Sequence, residues 1–232
     1  MYVPRRLSVP SLQTTGCPMI FVQTPNCGGA FVAQTFGRAF QDCITMTDPK
    51  MRGHPTLRRY RVGLSRHNLD IADFYTFDLV RNPWHWHQSW YSFVKQDTGG
   101  MQSGMPVEHA LFQNITFLEY LRWLDCPGIT GLRNRHYLRE MSEWLIGSDG
   151  QIGVDHVLRY ETLNQDLHRL SDTYGLRLNM PQIHSKVLYC NPNSDVSYCT
   201  EGIEIIRKRH ARDIALFGYV YEDQAACETV FG

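Results

Sequence analysis

Two kinds of hydrophobic pattern alternate along this chain: short apolar runs, and longer segments in which apolar residues recur every three or four positions. Met19 to Gln23 is a short run that leads into a Pro-Asn-Cys-Gly-Gly turn. Residues 74 to 80 (FYTFDLV) form a second run, and residues 152 to 161 (IGVDHVLRYE) form a third. Short runs rich in aromatic and β-branched residues predict buried strands. The chain therefore contains three candidate strands, each followed by a segment with helical spacing.

The helical segments are bounded by residues that favour helix ends. Pro55 and Pro83 suit the first turn of a helix, and Gly175 suits a helix stop. Thr200 is expected to open the last helix. Residues 107 to 125 are predicted to form one continuous helix whose apolar face comprises Val107, Leu111, Ile115, Leu118 and Leu121. The predicted helices span residues 30 to 40, 55 to 66, 84 to 96, 107 to 125, 162 to 174 and 200 to 217.

The order of these elements predicts the fold class. Strands that alternate with helices and run into turns at their carboxyl ends favour an α/β fold with a mostly parallel sheet. A chain of 232 residues is most simply a single domain, here residues 1 to 232. Ligands of such folds bind at the carboxyl ends of strands. The loops at 24 to 30 and 81 to 84 are therefore expected at the same edge of the sheet.

Composition and charge exclude several classes of partner. The 23 basic and 23 acidic residues cancel, so the net charge attracts neither nucleic acid nor an anionic membrane. The run RKRHAR at 207 to 212 accordingly favours a solvated helix face. The sequence lacks a signal-peptide pattern and any apolar run long enough for a membrane span, so a cytoplasmic protein is expected. His85 and His87 lie about 200° apart on a helix, which argues against a shared metal ion.

The loops after the first two candidate strands carry residues suited to an anion. A strand, a Gly-Gly turn and a helix leave backbone N–H groups converging at the helix start, where the helix dipole is positive. Gly28 and Gly29 allow the turn and a close approach of the backbone. Arg81 can form a fork to a phosphate, and Ser89 can donate from the helix that follows. Each feature also has a structural alternative: a tight connection, an arginine capping a strand, and a serine packed between tryptophans.

Together these segments resemble a known family. TPNCGGAF resembles the loop PKTGGTS of sulfotransferases that use 3'-phosphoadenosine 5'-phosphosulfate (PAPS), and FDLVRNPWHWHQSWY resembles their motif FVRNPWDRLVSLY. DGQIGVDHVLRYETLNQDLHRL is similar to their DGEILVDFIGRFENLEEDF, and RHARDIALFGYVYE to their YAEDIELFGYEF. The likeness runs in order through most of residues 19 to 222. It is closer to the carbohydrate-type branch than to the small-molecule branch.

The resemblance implies a P-loop-like sulfotransferase fold that uses PAPS as co-substrate and no metal. Arg81 and Ser89 would hold the 3'-phosphate. His54 would be the acceptor-side base, because Arg52, Gly53 and His54 stand where the family often has Lys-His ahead of a helix; a histidine bonded to backbone at a helix start is the alternative. The acceptor would be a hydroxyl, in this branch that of a saccharide. The 5'-phosphate end would lie against Thr24, Pro25, Asn26, Cys27, Gly28, Gly29, Ala30 and Phe31.

Three departures from the family motifs bear on catalysis. Asn26 replaces the loop lysine, Ala30 and Phe31 replace Thr-Ser, and Trp86 replaces an arginine. Removing one preorganised donor at a developing oxyanion costs about 2.7 to 4 kcal/mol, whereas a helix end contributes about 0.3 to 1 kcal/mol. Asn26 stands at a catalytic position where the family has lysine, and the helix end alone does not compensate for the loss of that lysine.

Two hypotheses follow from these departures. In the first, the chain is an active sulfotransferase, with Lys50 or Arg52 folding over the loop or with a slower reaction on a reactive donor. In the second, it is a catalytically inactive protein of the same fold that serves as a structural or assembly component, for example of a viral particle. The second hypothesis implies a homo-oligomer or a larger assembly.

Overall fold

The computed structural model describes residues 19–36, 54–96, 105–126, 136–174 and 196–222. Short 3-10 turns lie at Ile71–Asp73, His136–Leu138 and Tyr160–Thr162. The strands are β1 (Met19–Phe21), β2 (Tyr75–Val80) and β3 (His156–Arg159). The helices are α1 (Gly29–Phe36), α2 (Leu57–Ser65), α3 (Pro83–Gln96), α4 (Pro106–Gln113), α5 (Phe117–Leu124), α6 (Ser142–Leu145), α7 (Leu163–Tyr174), α8 (Thr200–Arg209) and α9 (Ala211–Phe217).

The described residues fall into two compact units. The first takes its residues from Met1–Arg81 and Met141–Ile183, and the second takes them from Asn82–Glu140 and His184–Gly232. The first unit contains the three strands with α1, α2, α6 and α7, and the second contains the other helices. The single domain predicted over residues 1–232 stays a prediction.

The first unit is built on a small parallel sheet with the strand order β1-β2-β3. Ile20 lies opposite Thr76 in one strand pair, and Leu79 lies opposite Leu158 in the other. The central strand β2 is buried at five of its six positions, as expected for a strand covered on both faces. The predicted α/β class with a parallel sheet is confirmed. The loop after β1 and Arg81 after β2 therefore lie at the same, carboxyl edge.

The two helices that follow β1 along the chain begin close to their predicted positions. The helix predicted over residues 30–40 is present as α1, and residues 37–40 lie outside the described part. The prediction that Pro55 opens the next helix is wrong. The Thr56 side chain accepts a hydrogen bond from the Arg59 N–H and caps α2, so Pro55 precedes the helix.

In the second unit, α3 forms over the predicted residues with Pro83 as its first residue. Its aromatic side chains Trp84, Trp86, Trp90 and Tyr91 are buried, whereas Phe93 is 41% exposed. The indole of Trp86 lies edge-on to that of Trp90, with ring centroids 6.1 Å apart. These four side chains form part of the core of the second unit.

The prediction of one helix over residues 107–125 is wrong. The segment forms α4 and α5, because Thr116 and Glu119 make a capping box that starts a new helix. Because α5 begins anew at Phe117, its buried side no longer continues the helical periodicity of α4. Of the predicted apolar face, Leu121 is buried but Val107 is 72% exposed, and Phe112 and Tyr120 are buried instead.

The prediction of one helix over residues 200–217 is also wrong. The helix breaks at His210, and Cys199 rather than Thr200 occupies the N-cap position. His210 is fully buried, and the Arg209 guanidinium donates to the carbonyls of Leu124 and Leu138 at 2.7 and 2.8 Å. This part of RKRHAR therefore belongs to the interior rather than to a solvated face. Across the described residues, no helix has the length and hydropathy needed to cross a membrane.

Candidate anion-binding site

The loop between β1 and α1 has an unusual backbone. Gln23, Asn26 and Gly28 all have positive φ angles, of 65°, 56° and 92°. Non-glycine residues rarely adopt this conformation, and such strain clusters at functional sites. A Cβ on Gly28 would also lie 2.9 Å from Cε2 of Tyr160, so both the conformation and the space require glycine there.

Asp78, in the middle of β2, fastens the start of this loop. Its carboxylate accepts hydrogen bonds from the N–H of Thr24 at 2.9 Å and from the Thr24 hydroxyl at 2.7 Å. Asp78 is fully buried, and this burial raises the pKa of its carboxyl to about 6 against the pull of those hydrogen bonds. The hydroxyl of Thr24, a predicted phosphate contact, is therefore engaged by Asp78 inside the protein.

The start of α1 supplies the donors of the candidate cradle. The N–H groups of Phe31 and Val32 donate to the Gly28 carbonyl at 2.9 and 3.2 Å. The first N–H groups of a helix have no acceptor within it, so those of Gly29 and Ala30 do not bond inside α1. The positive end of the helix dipole lies at the same place. This geometry suits an anion.

The side chains of the predicted loop residues point in different directions. Cys27 is fully buried, with its Sγ 3.7 Å from Sδ of Met141. Pro25 is also buried, Ala30 is exposed, and Phe31 is half-buried. Any hydrogen bond from Cys27 to an anion would therefore come from its backbone N–H, and Pro25, which has no N–H, has no donor for one.

Arg81 lies beside the loop but is only 4% exposed. Its guanidinium stacks over the Tyr160 ring, 4.2 Å from the centroid, and its Nη1 donates to the Asn26 carbonyl at 3.5 Å. A cation over an aromatic ring gains about 0.5 to 2 kcal/mol, depending on how far it is desolvated. The arrangement places a fixed positive charge against the loop that lacks a lysine.

His54, the predicted base, lies against the first residues of the same loop. Its Nδ1 is 2.8 Å from the carbonyl oxygen of Gln23, and its own carbonyl accepts from Trp144 Nε1 at 3.1 Å. Because a carbonyl only accepts, Nδ1 carries the hydrogen, and Nε2 is the basic nitrogen of the neutral ring. Burial lowers the pKa of His54. The imidazole is therefore neutral near pH 7 and able to accept a proton.

The predicted site residues are only partly brought together within one unit. His54, the loop from Thr24 to Phe31, and Arg81 all belong to the first unit. Ser89 lies on α3 in the second unit and is half-buried. Lys50 and Arg52, the candidate replacements for a loop lysine, lie outside the described residues. Within the described ranges, no group of three or more histidine, cysteine or carboxylate side chains is arranged to hold a metal ion.

Three residues of the site were not predicted from the sequence. Asp78 had a usable signal, since an acidic residue in the middle of an apolar strand needs a specific partner. The Gln23 side chain packs so closely on the helix start that a Cβ on Gly29 would lie 2.8 Å from its Nε2. Neither this contact nor the stacking of Tyr160 on Arg81 leaves a local pattern in the sequence.

Comparison with known proteins yields no relative. No protein-family model matches the chain, and no curated protein or solved structure is significantly similar to it.

Proposed function

We propose that the chain is a sulfotransferase that moves a sulfuryl group from PAPS to a hydroxyl acceptor, a saccharide by the resemblance of its motifs. The observation that carries the proposal is the contact of His54 with the Gln23 carbonyl. This contact fixes a neutral, basic imidazole beside a glycine loop at a helix start. A base and an anion cradle side by side are what transfer of a negatively charged group to a hydroxyl requires.

The chain's own residues have distinct tasks in this proposal. PAPS, when bound, supplies the activated sulfuryl group, whose bond to the 5'-phosphate breaks as the acceptor oxygen bonds to sulfur. The N–H groups at the start of α1 hold the departing 5'-phosphate. Arg81, which the resemblance assigns with Ser89 to the 3'-phosphate, bonds the Asn26 carbonyl and so adds positive charge at the loop as well. His54 Nε2 takes the hydroxyl proton. Ser89 remains a proposed contact of the 3'-phosphate.

The missing loop lysine sets the expected rate. Asn26 can donate a hydrogen bond but carries no charge to neutralise the departing phosphate. From the cost of one lost donor, we expect turnover about 100- to 1000-fold below that of an enzyme with the lysine. Asn26→Lys should therefore raise the rate of transfer.

A transfer assay tests the proposal. The purified chain is incubated with PAPS carrying radioactive sulfate and with a panel of desulfated and partly sulfated polysaccharides. We expect label in at least one acceptor, lost in His54→Asn and retained in His168→Gln, whose exposed histidine lies on α7. Failure of every acceptor to take up label, with both the native chain and Asn26→Lys, would contradict the proposal.

A binding or assembly role is the second candidate, and the engagement of Thr24 by Asp78 favours it. That contact removes the only hydroxyl of the 24–31 loop from the ligand side. Arg81 is likewise held against Tyr160. In this case the chain would bind the bisphosphate product of PAPS weakly or not at all, and neither the native chain nor Asn26→Lys would transfer sulfate.

A further inference from the structure

Four polar side chains form a continuous hydrogen-bonded chain in the core of the second unit. His87 Nδ1 lies 2.8 Å from the Tyr120 hydroxyl, and His87 Nε2 lies 2.8 Å from His210 Nε2. His210 Nδ1 lies 2.9 Å from an Asp213 carboxylate oxygen. All four side chains are fully buried. They join α3, α5 and the junction between α8 and α9.

The geometry allows one complete hydrogen pattern at neutral pH. Asp213 accepts from His210 Nδ1–H, so His210 Nε2 is an acceptor for His87 Nε2–H. His87 Nδ1 then accepts from the Tyr120 hydroxyl. Every hydrogen in the chain has an acceptor, both imidazoles are neutral, and the Asp213 carboxylate carries the only charge.

An added proton breaks this pattern. Two Nε2 atoms 2.8 Å apart can share only one hydrogen, so both histidines cannot be cationic in this arrangement. A single extra proton can be taken up by His210 only if two hydrogen bonds swap donor and acceptor. His210 Nε2 would then donate to His87 Nε2, and His87 Nδ1 would donate to the Tyr120 oxygen. Tyr120 would then accept from His87, and its hydroxyl hydrogen would lose its only hydrogen-bond acceptor among the described residues. A buried unmade hydrogen bond is costly.

The surroundings also oppose further positive charge. Burial, the neighbouring His210 and, least of the three, the partly buried cation Arg209 lower the pKa of His87 well below its usual range. The Tyr137 hydroxyl near Tyr120 donates to Glu108 Oε1 at 3.1 Å, so that carboxylate is already engaged. The titratable groups near the chain are Arg209 from α8 and Tyr137, which donates to Glu108 of α4; Asp125 and Glu140 lie near Arg209.

We propose that the chain Tyr120–His87–His210–Asp213 is a pH-sensitive latch that holds the helices of the second unit together at neutral pH and releases them in mild acid. His87, which the hydrogen-bonded chain and burial hold neutral, is charged in the open state below pH 6.5, so it shifts the opening equilibrium by up to about tenfold per pH unit. Release would expose the aromatic core around Trp86, whose ring lies 5.2 and 5.5 Å from those of His87 and His210. This proposal is independent of sulfate transfer.

Hydrogen exchange of the whole chain, corrected for the intrinsic effect of pH, tests the latch. Between pH 6.5 and 5.5 we expect the opening constant of peptides from α3, α5 and α8 to rise about fivefold, whereas that of β2, where Asp78 takes up its proton and is stabilised over this range, should not rise. His168→Gln, an exposed control in the first unit, should behave as the native chain does. An equal loss of protection in both units, or none in the second, would overturn the proposal.

Two further measurements make the test specific to these residues. The combined variant His87→Phe, Tyr120→Phe, His210→Leu, Asp213→Leu replaces the chain with apolar groups, and its second unit should lose the pH dependence. Should that variant fail to fold, NMR of histidine ring nitrogens in the native chain gives the answer. We expect hydrogen on His87 Nε2 and His210 Nδ1 at pH 7.5; a doubly protonated His87 at that pH would overturn the proposal.

Discussion

Asp78 and Thr24 lie 54 residues apart in the sequence, yet the Asp78 carboxylate accepts both the N–H and the hydroxyl of Thr24, at 2.9 and 2.7 Å. This pair ties the central strand of the sheet to the first residue of the candidate anion loop. The loop's shape therefore depends on a buried carboxylate, and the first two predictions concern this pair.

Thr24→Val removes the hydroxyl and leaves the size of the side chain nearly unchanged. We expect it to lower the free energy of unfolding by about 1 to 3 kcal/mol, because the buried carboxylate loses a donor. Urea unfolding at pH 7 measures the loss. Thr173→Val, at an exposed position on α7, is the matched control and should change stability by less than about 0.5 kcal/mol. Equal effects of the two substitutions would refute the importance of the buried bond.

The ionisation of Asp78 should make stability depend on pH. Its pKa is about 6 in the folded protein, above the ordinary value of 3.8, so the folded state holds the proton more tightly. The stabilisation is complete below pH 4 and is lost as the pH rises through 6. Relative to Asp78→Asn, the native chain should lose roughly 2 to 2.5 kcal/mol between pH 4 and 7. A difference that stays constant, or that grows with pH, would show that Asp78 does not titrate this way.

These cases show how much of the molecule could be predicted from its sequence. The three strands and the parallel sheet were predicted, because the hydrophobic pattern and the residue types within each short segment are enough to indicate a strand. The helix breaks at Asn114–Thr116 and at His210 were missed, since a cap and a buried histidine outweighed the apolar periodicity. The contacts of Gln23 and Tyr160 with the loop could not be predicted, because they arise between distant segments and leave no local pattern. The positions of Lys50, Arg52 and residues 37–40 lie outside the described part of the chain.

Gly28→Ala tests whether the loop backbone needs its left-handed residue. The substitution places a methyl group 2.9 Å from the Tyr160 ring at a φ of 92°. Gly218→Ala is the matched control, because Gly218 has a φ of 64° but no atom within 4 Å of the new Cβ. We expect the control to cost about 1 kcal/mol and Gly28→Ala about 1 to 3 kcal/mol more. Thermal or urea unfolding measures both, and similar costs would remove the steric argument.

His54→Asn separates the base from the loop contact. The amide of the introduced asparagine can still donate to the Gln23 carbonyl, so the loop should keep its shape, but no group remains to accept a proton. Under the proposed function, we expect the rate of sulfate transfer to fall about 100- to 10,000-fold. Nucleotide affinity should change less than about threefold, since the ring does not hold the anion. A variant that keeps its rate would exclude His54 as the base.

The most direct test of the anion site is a calorimetric titration of the whole chain with adenosine 3',5'-bisphosphate at pH 7. We expect one saturable site with a Kd below about 1 mM, equivalent to at least about 4 kcal/mol of binding. Arg81→Met, which keeps the length of the side chain but removes its charge, should weaken this binding about tenfold or more. No heat of binding at millimolar nucleotide, or equal affinity in Arg81→Met, would contradict the claim that this loop and Arg81 hold a nucleotide phosphate.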